Sequence, residues 1–469
     1  MTTLAEEQKE QERWTARLKQ PTRIYDTLLE REFEEPERRV ARTNAALDAV
    51  LRFAAVNVPH YRQLFQEIGA DPKAPDLSAV LPTLPILRKL DLRDSESEFR
   101  AERLPDGERV GAAAPSSGTT GMPVSVLHSM RSNKMFALLK QREYRWFRFD
   151  PGGTLASIRP PRTLVKRPDG SLLPLGEDQP LGGWPPVRGD FSTGPAIGFS
   201  ILNPPEDQVA WLRRIRPDYL LTLSNALEHL ALTTGGERPC TSLKGVLAIA
   251  EQITAGMRAL AERSFAVPIQ QNYGLNEIGL VAVRCDAGRY HVHSEHCLVE
   301  IVGADGRAVA AGETGRLIVT ALSNLAMPLL RYDADDLAIA ADGPCACGRT
   351  LPSFADIVGR FSQFASLPEG SFVMFETMRL AIQKAPADQI RDLRQFQLHQ
   401  FRDGRYELRL LARARLPDAF DQHVQSVWAK AAPSRNSSLT LRYVDAIERG
   451  AGGKYQAFSS DFIPKGASA

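Results

Sequence analysis

Apolar residues recur at helical spacing between Glu34 and Val58, at Val40, Leu47, Val50, Leu51, Ala54 and Val58, and predict an amphipathic helix that Pro59 ends. Further along, the short apolar runs Tyr219–Leu223 and Leu243–Ile249 alternate with the helical stretches Asn225–Leu232 and Ala255–Phe265. Such alternation predicts an α/β fold. From Tyr290 to Ala340 the pattern turns to adjacent strands, HVHSEHCLVEIV and GRLIVTAL around the turn Ala304–Arg307, which predicts a β-subdomain attached to the sheet. After Arg360 a strand pair around Asp403-Gly404, a helix over Pro417–Ala431 and a strand over Leu439–Val444 predict a small α+β domain. The expected division is therefore a large N-terminal domain over 1–359 and a small, mobile C-terminal one over 360–469.

The length of 469 residues supports that division, since one compact core rarely grows so large. An apolar fraction of 43% with 24% charged residues is that of a globular protein. The first thirty residues alternate acid and base, and no stretch reaches about eighteen uncharged apolar residues, so a cytoplasmic chain without a membrane span is expected. Lysine and arginine number 58 against 56 acidic residues, a net charge of +2 that favours neither nucleic acid nor an anionic membrane as partner. Five cysteines, an odd number, argue for reduced thiols rather than a disulfide framework. Nothing in the sequence indicates an oligomeric state.

Four constellations offer chemistry. In Ser116-Ser117-Gly118-Thr119-Thr120-Gly121-Met122-Pro123, two glycines let the backbone approach a polyphosphate, and hydroxyls and amides can surround its oxygens. Taken alone, the same composition also makes a plain turn, and it is no Walker loop because no Gly-Lys-Ser/Thr follows. Asn272-Tyr273-Gly274-Leu275-Asn276-Glu277 combines a ring to stack on a base with a carboxylate suited to magnesium; a strand end with a solvated glutamate reads identically. In Arg331-Tyr332-Asp333-Ala334-Asp335-Asp336, after Gly312–Gly315, three aspartates beside an arginine can grip ribose hydroxyls or form a charged turn. Cys285, His291, Cys345 and Cys347 make a soft donor set of the kind zinc takes tetrahedrally, with His293 and Cys297 as spare candidates and unrelated buried thiols as the alternative.

In order and spacing, SSGTTGMP, YGLNE and GETGRLIVTALSNLAMPLLRYDADDL resemble signatures of the adenylate-forming superfamily, within it the phenylacetate-CoA ligase and CapK-like branch. The resemblance runs from about Glu34 to the end. It implies that residues 116–121 wrap the β- and γ-phosphates of ATP, that Tyr273 lies on adenine, and that Glu277 with Thr120 serves Mg2+. Asp336 then corresponds to the ribose-binding aspartate, Arg360 to the arginine near the domain hinge, and Ala250-Glu251 to an adenine-flanking pair. Lys454, in the glycine-flanked loop Arg449–Lys454, resembles the catalytic lysine, whose ammonium can stabilise charge at the carboxylate and α-phosphate. RCDAGRYHVHSEH and GPCACGRTLP likewise resemble the zinc site that some members of the branch carry.

The hinge departs from the branch: Gly359-Arg360 is followed by Phe361-Ser362-Gln363 rather than by x-Asp-Asp, and the next glycine-bearing element is blurred into Ala365–Gly370. Adenylation of a small carboxylic acid, giving AMP and pyrophosphate, is thus expected more firmly than transfer of the acyl group. The expected acceptor is CoA, with an amine, a hydroxyl or a carrier-protein thiol as alternatives. A catalytically silent nucleotide- or zinc-binding scaffold and an ADP-releasing phosphotransferase are the readings from other classes. Trp184, Phe199, Ser224 and Asn225 are candidates to line the acid pocket.

Overall fold

The computed structural model describes residues 4–20, 23–115, 124–164, 170–234, 237–250, 253, 255–360, 371–386, 388–431, 438–447 and 458–462. Helices α1 (Leu4–Thr15), α2 (Arg23–Glu30), α3 (Pro36–Asn57), α4 (Pro59–Glu67) and α5 (Lys89–Asp94) open the chain. Pro59 closes α3 by opening α4: Val58 is extended, and a proline at a first helical position sacrifices no internal hydrogen bond. The charged first helix carries Trp14, fully buried, which packs edge-on against Trp184 and Phe191 and stacks with Tyr144. A lone aromatic among charges gives no periodic signal, so the sequence pattern does not show this anchor.

Strands β1 (Val110–Pro115) and β2 (Ser125–Ser129) pair antiparallel beside α6 (Met130–Trp146). The α/β segment follows as β3 (Leu155–Arg159), β4 (Asp178–Pro180), β5 (Ala196–Ser200), α7 (Pro205–Ile215), β6 (Tyr219–Leu223), α8 (Ser224–Thr233), β7 (Gly245–Ile249), α9 (Ala255–Phe265) and β8 (Ile269–Leu275). Next come β9 (Gly279–Arg284), β10 (Tyr290–Val292), β11 (Cys297–Val302), β12 (Thr314–Ala321), β13 (Tyr332–Ala340) and β14 (Ser353–Arg360). Among the described residues, β3 to β14 form one twelve-stranded sheet in the order β11-β12-β13-β14-β10-β9-β8-β7-β6-β3-β5-β4.

Strands β8, β7, β6, β3 and β5 run parallel, whereas β8 meets β9 antiparallel and the rest of that half stays antiparallel. The predicted β-subdomain is thus a continuation of the α/β sheet. Its parallel strands are buried on both faces, with Leu155, Leu221 and Leu247 against α6 and Ala156, Leu220 and Val246 in the cluster that includes α8 and α9.

Helix α10 (Ser371–Lys384), β15 (Leu393–Gln400), β16 (Tyr406–Ala412), α11 (Asp418–Ala431), β17 (Leu439–Tyr443) and β18 (Phe458–Ser460) complete the chain. A second sheet, four-stranded among the described residues, runs β17-β16-β15-β18. Its core, with Met378, Leu398, Leu408, Phe420 and Trp428, also includes Leu337 of β13 and Val358 of β14. The first sheet therefore supplies part of the apolar floor of the second.

Candidate functional site

The C-terminal end of β8 turns directly into β9, and this corner carries the YGLNE motif. Gly274 sits at a bulge where a Cβ would come within 2.8 Å of the Gly279 carbonyl, so the tight corner requires glycine. Tyr273 is half-buried, and its hydroxyl donates to Oδ2 of buried Asp336 on β13 at 2.6 Å. Two motifs sixty-three residues apart meet in this bond.

Glu277 follows the corner and is 7% exposed. The Tyr332 hydroxyl donates to its Oε1 at 3.1 Å, and Lys89 Nζ from α5 lies 3.3 Å from the same oxygen. Both described contacts fall on Oε1, so Oε2 remains available as a ligand atom. Burial first, and Glu277 second, push the Tyr332 phenol well above its ordinary range, which keeps it a donor. His128 donates from Nε2 to the Asn276 carbonyl at 3.0 Å; burial lowers its pKa, partly opposed by that bond and by Glu277. Lys89 and His128 were not legible as site residues, because each comes from a different segment and neither belongs to a motif. Asn276 is exposed at the same corner, and Asn272, on β8, donates to Glu143 Oε2 of α6 at 3.0 Å.

The acidic tract resolves differently from a three-aspartate grip. Arg331 is buried and turned away, held by Glu300 and by the carbonyls of Pro82 and Leu84. Asp333 pairs with Arg316, and its Oδ1 accepts from the Asp335 amide. Among the described contacts only Asp336 reaches Tyr273. At the end of β7, Ala250 is exposed and lies in the left-handed region, with φ 70°. Arg360 ends β14 directly opposite Asp336 in the strand register. Ser116, Ser117, Gly118, Thr119, Thr120 and Gly121, Glu251, the hinge residues 361–370 and Lys454 lie outside the described residues, as does the Arg360 side chain.

The acid-pocket candidates are corrected in part. Trp184 is fully buried, its Nε1 donating to the Gly153 carbonyl, and Phe199 stacks on Trp211 at 4.7 Å within the core. Both rings are packing groups. Ser224 is buried at the start of α8, and nothing is described of the Asn225 side chain.

The four soft donors do come together. The ligating atoms of Cys285, His291, Cys345 and Cys347 all lie within 4.8 Å of one another. Cys285 and Cys345 Sγ are 3.6 Å apart, and Cys347 Sγ lies 3.2 Å from His291 Nε2. A tetrahedral ion with Zn–S near 2.3 Å and Zn–N near 2.0 Å demands edges of roughly 3.5 to 3.8 Å, so the donor set fits zinc. Two similar turns present the cysteines: the Gly288 amide bonds the Cys285 carbonyl and the Gly348 amide that of Cys345, each glycine with positive φ. His291 Nδ1 faces the Leu351 carbonyl at 3.3 Å, which orients Nε2 toward the thiols. The Cys285 thiol and His291 hold Cys347 far below the ordinary thiol range, as a ligand thiolate requires. His293 is instead engaged by Arg142, and Cys297 by the carbonyls of Val281 and His293.

No protein-family model matches the chain. It is 29% identical over 326 residues to a phenylacetate-coenzyme A ligase of Thermus thermophilus, covering 67% of this chain and 68% of that one. Identity to the Escherichia coli phenylacetate-coenzyme A ligase is 28% over 319 residues, 66% and 68% of the two chains. Among solved structures, 2-hydroxyisobutyryl-CoA ligase in the postadenylation state, in complex with 2-HIB-AMP, superposes with a TM-score of 0.68 at 17% identity, covering 92% and 91%.

Proposed function

We infer that this chain, a relative of the phenylacetate-coenzyme A ligases with the fold of an adenylate-forming ligase, activates a small carboxylic acid as its acyl-adenylate and passes the acyl group to CoA. One observation carries the reading: the bond from Tyr273 to Asp336 unites two motifs, with Glu277 on the same corner. They stand where the parallel strands end and the sheet turns antiparallel, the kind of crevice in which α/β sheets bind nucleotides.

In this reading a carboxylate oxygen attacks the α-phosphorus of ATP, the bond to the β-phosphate breaks, and pyrophosphate leaves. The CoA thiol then attacks the acyl carbonyl, its proton is released, and AMP departs. Tyr273 would cover adenine and Asp336 would accept from the ribose hydroxyls. Residues 116–121 would wrap the leaving phosphates, with Ala250-Glu251, Asn272, Gly274 and Asn276 around the base and α-phosphate. Lys454 would stabilise the charge that builds between carboxylate and α-phosphate, and Arg360 would stand at the hinge of a 360–469 lid. Glu277, through its open Oε2 and with Thr120, would hold Mg2+, which neutralises the polyphosphate. Cys285, His291, Cys345 and Cys347 would hold a structural Zn2+, since four protein donors leave no position for substrate. Balanced charge and reduced thiols suit work in the cytoplasm.

Acid-dependent exchange of labelled pyrophosphate into ATP tests the first step, and AMP rather than ADP must accompany product. A purified protein that exchanges with no aryl or aliphatic acid would refute the reading. The altered hinge favours a second acceptor class, so the acyl product is to be compared with CoA and with a simple amine.

A further inference from the structure

Four side chains mark the C-terminal edge of the parallel strands on the face covered by α6: Arg159 of β3, Leu223 of β6, Ile249 of β7 and Asn272 of β8. Each is half-buried, while the strands behind them are almost wholly buried. This row runs away from the Tyr273 corner along the edge where α/β sheets take their ligands. Its near end is polar and its middle apolar. The far end is a guanidinium.

Arg159 makes no described hydrogen bond or ion pair, and its Nε is buried without a partner. The buried carboxylate of α6, Glu143, meets Lys140 and Asn272 through Oε2, its Oε1 is buried without a partner, and it makes no described ion pair with Arg159. Tyr144 of α6 is near enough to Arg159 to act on it electrostatically, yet its hydroxyl donates to the Pro185 carbonyl. Burial lowers the Arg159 pKa, with Tyr144 opposing, but an arginine stays charged in proteins. An unpaired, half-buried guanidinium whose Nε is shut off from water is costly to keep in a fold and calls for an anion to complete it.

Resting on the acid-activating reading above, we propose that Arg159 is a specificity residue that receives a second anionic group of the substrate. The substrate class is then a bifunctional acid: one carboxylate reacts beside the nucleotide, an apolar spacer crosses Leu223 and Ile249, and the distal anion meets Arg159. Three inter-strand steps of about 4.8 Å place β3 about 14 Å from β8; after the arginine's own reach, the acid spans on the order of 6–9 Å. That suits a medium-length aliphatic or an aromatic diacid.

The test compares adipate, suberate and terephthalate with the half-amide of each, by pyrophosphate exchange and by equilibrium binding, in the full-length protein and its Arg159→Leu and Arg159→Lys variants. A diacid preference of about tenfold or more in kcat/KM is expected, the size of one charge-assisted bond. Arg159→Leu should erase that ratio and Arg159→Lys should keep part of it. Half-amides or plain monoacids that match the diacids, with a ratio indifferent to Arg159→Leu, would overturn the proposal and leave the acid-activating reading intact. Diacid binding lost in Arg159→Leu, without exchange from any acid, would support the Arg159 site and sink the adenylation reading instead. Absence of both binding and exchange would overturn the two together.

Discussion

The Tyr273 hydroxyl donates to Asp336 Oδ2 at 2.6 Å, tying the C-terminal end of β8 to the middle of β13. Hydrogen bonds to a charged acceptor contribute about 1.5–3 kcal/mol. Tyr273→Phe keeps the ring and removes the tether, so AMP binding is expected to weaken about tenfold while the far-ultraviolet spectrum is unchanged. Calorimetric titration with AMP reads this, and an unaltered Kd would contradict the role given to the pair.

Lys89 and Tyr332 both meet Glu277 at Oε1, which assigns the proposed magnesium contact to Oε2. Glu277→Gln should reduce acid-dependent exchange by about a hundredfold and raise the magnesium concentration needed for half-maximal rate. Lys89→Met removes only a neighbour and should leave the magnesium dependence closer to that of the parent protein.

The Cys285, His291, Cys345 and Cys347 cluster should copurify with one zinc per chain by elemental analysis. Cys285→Ser and Cys347→Ser should each lose the metal and melt several degrees lower. Cys297→Ser, a change at a cysteine outside the cluster, should retain it.

His296 is fully buried, with Nδ1 at 2.6 Å from Ser323 Oγ and Nε2 donating to the Ile278 carbonyl. Burial, the largest influence, brings its pKa down to about 4 from 6.5. The unfolded chain therefore binds the proton more readily, so the stability contributed by the neutral ring is complete above about pH 6.5 and is lost as pH falls through 4. Urea unfolding at pH 5 should give roughly 2 kcal/mol less stability from this group than at pH 7.5. His296→Asn should flatten that part of the slope.

Trp14 is an anchor that only packing reveals. Trp14→Ala should destabilise the fold by about 3–5 kcal/mol, measured by denaturant unfolding. Its place in the aromatic core predicts little change in KM for ATP.

Legibility in the sequence followed the range of the interactions. Helix Ala255–Phe265 and strand Tyr219–Leu223 fall where local periodicity puts them, because burial on one or both faces writes itself into adjacent residues. Local pattern alone names the Tyr273 and Asp336 motifs, and only the family resemblance brings them to one nucleotide, since their bond depends on strand order: β9, β10 and β14 intervene between β8 and β13. The acidic tract shows the same limit. Arg331 reads as a partner for its neighbouring aspartates, yet its left-handed backbone (φ 48°) accompanies a side chain directed to Glu300 and distant carbonyls. Trp184 and Phe199 were indistinguishable from pocket residues because an aromatic ring has the same composition signal in a core as beside a ligand.

Asp336 and Arg360 occupy one rung, opposed across β13 and β14, and the chain leaves the large sheet at Arg360. A pull on that departing strand would act as a lever whose fulcrum is the ladder itself, displacing the carboxylate that Tyr273 holds. The Tyr273–Asp336 bond and the posture of the trailing sheet would then answer to a single mechanical coordinate.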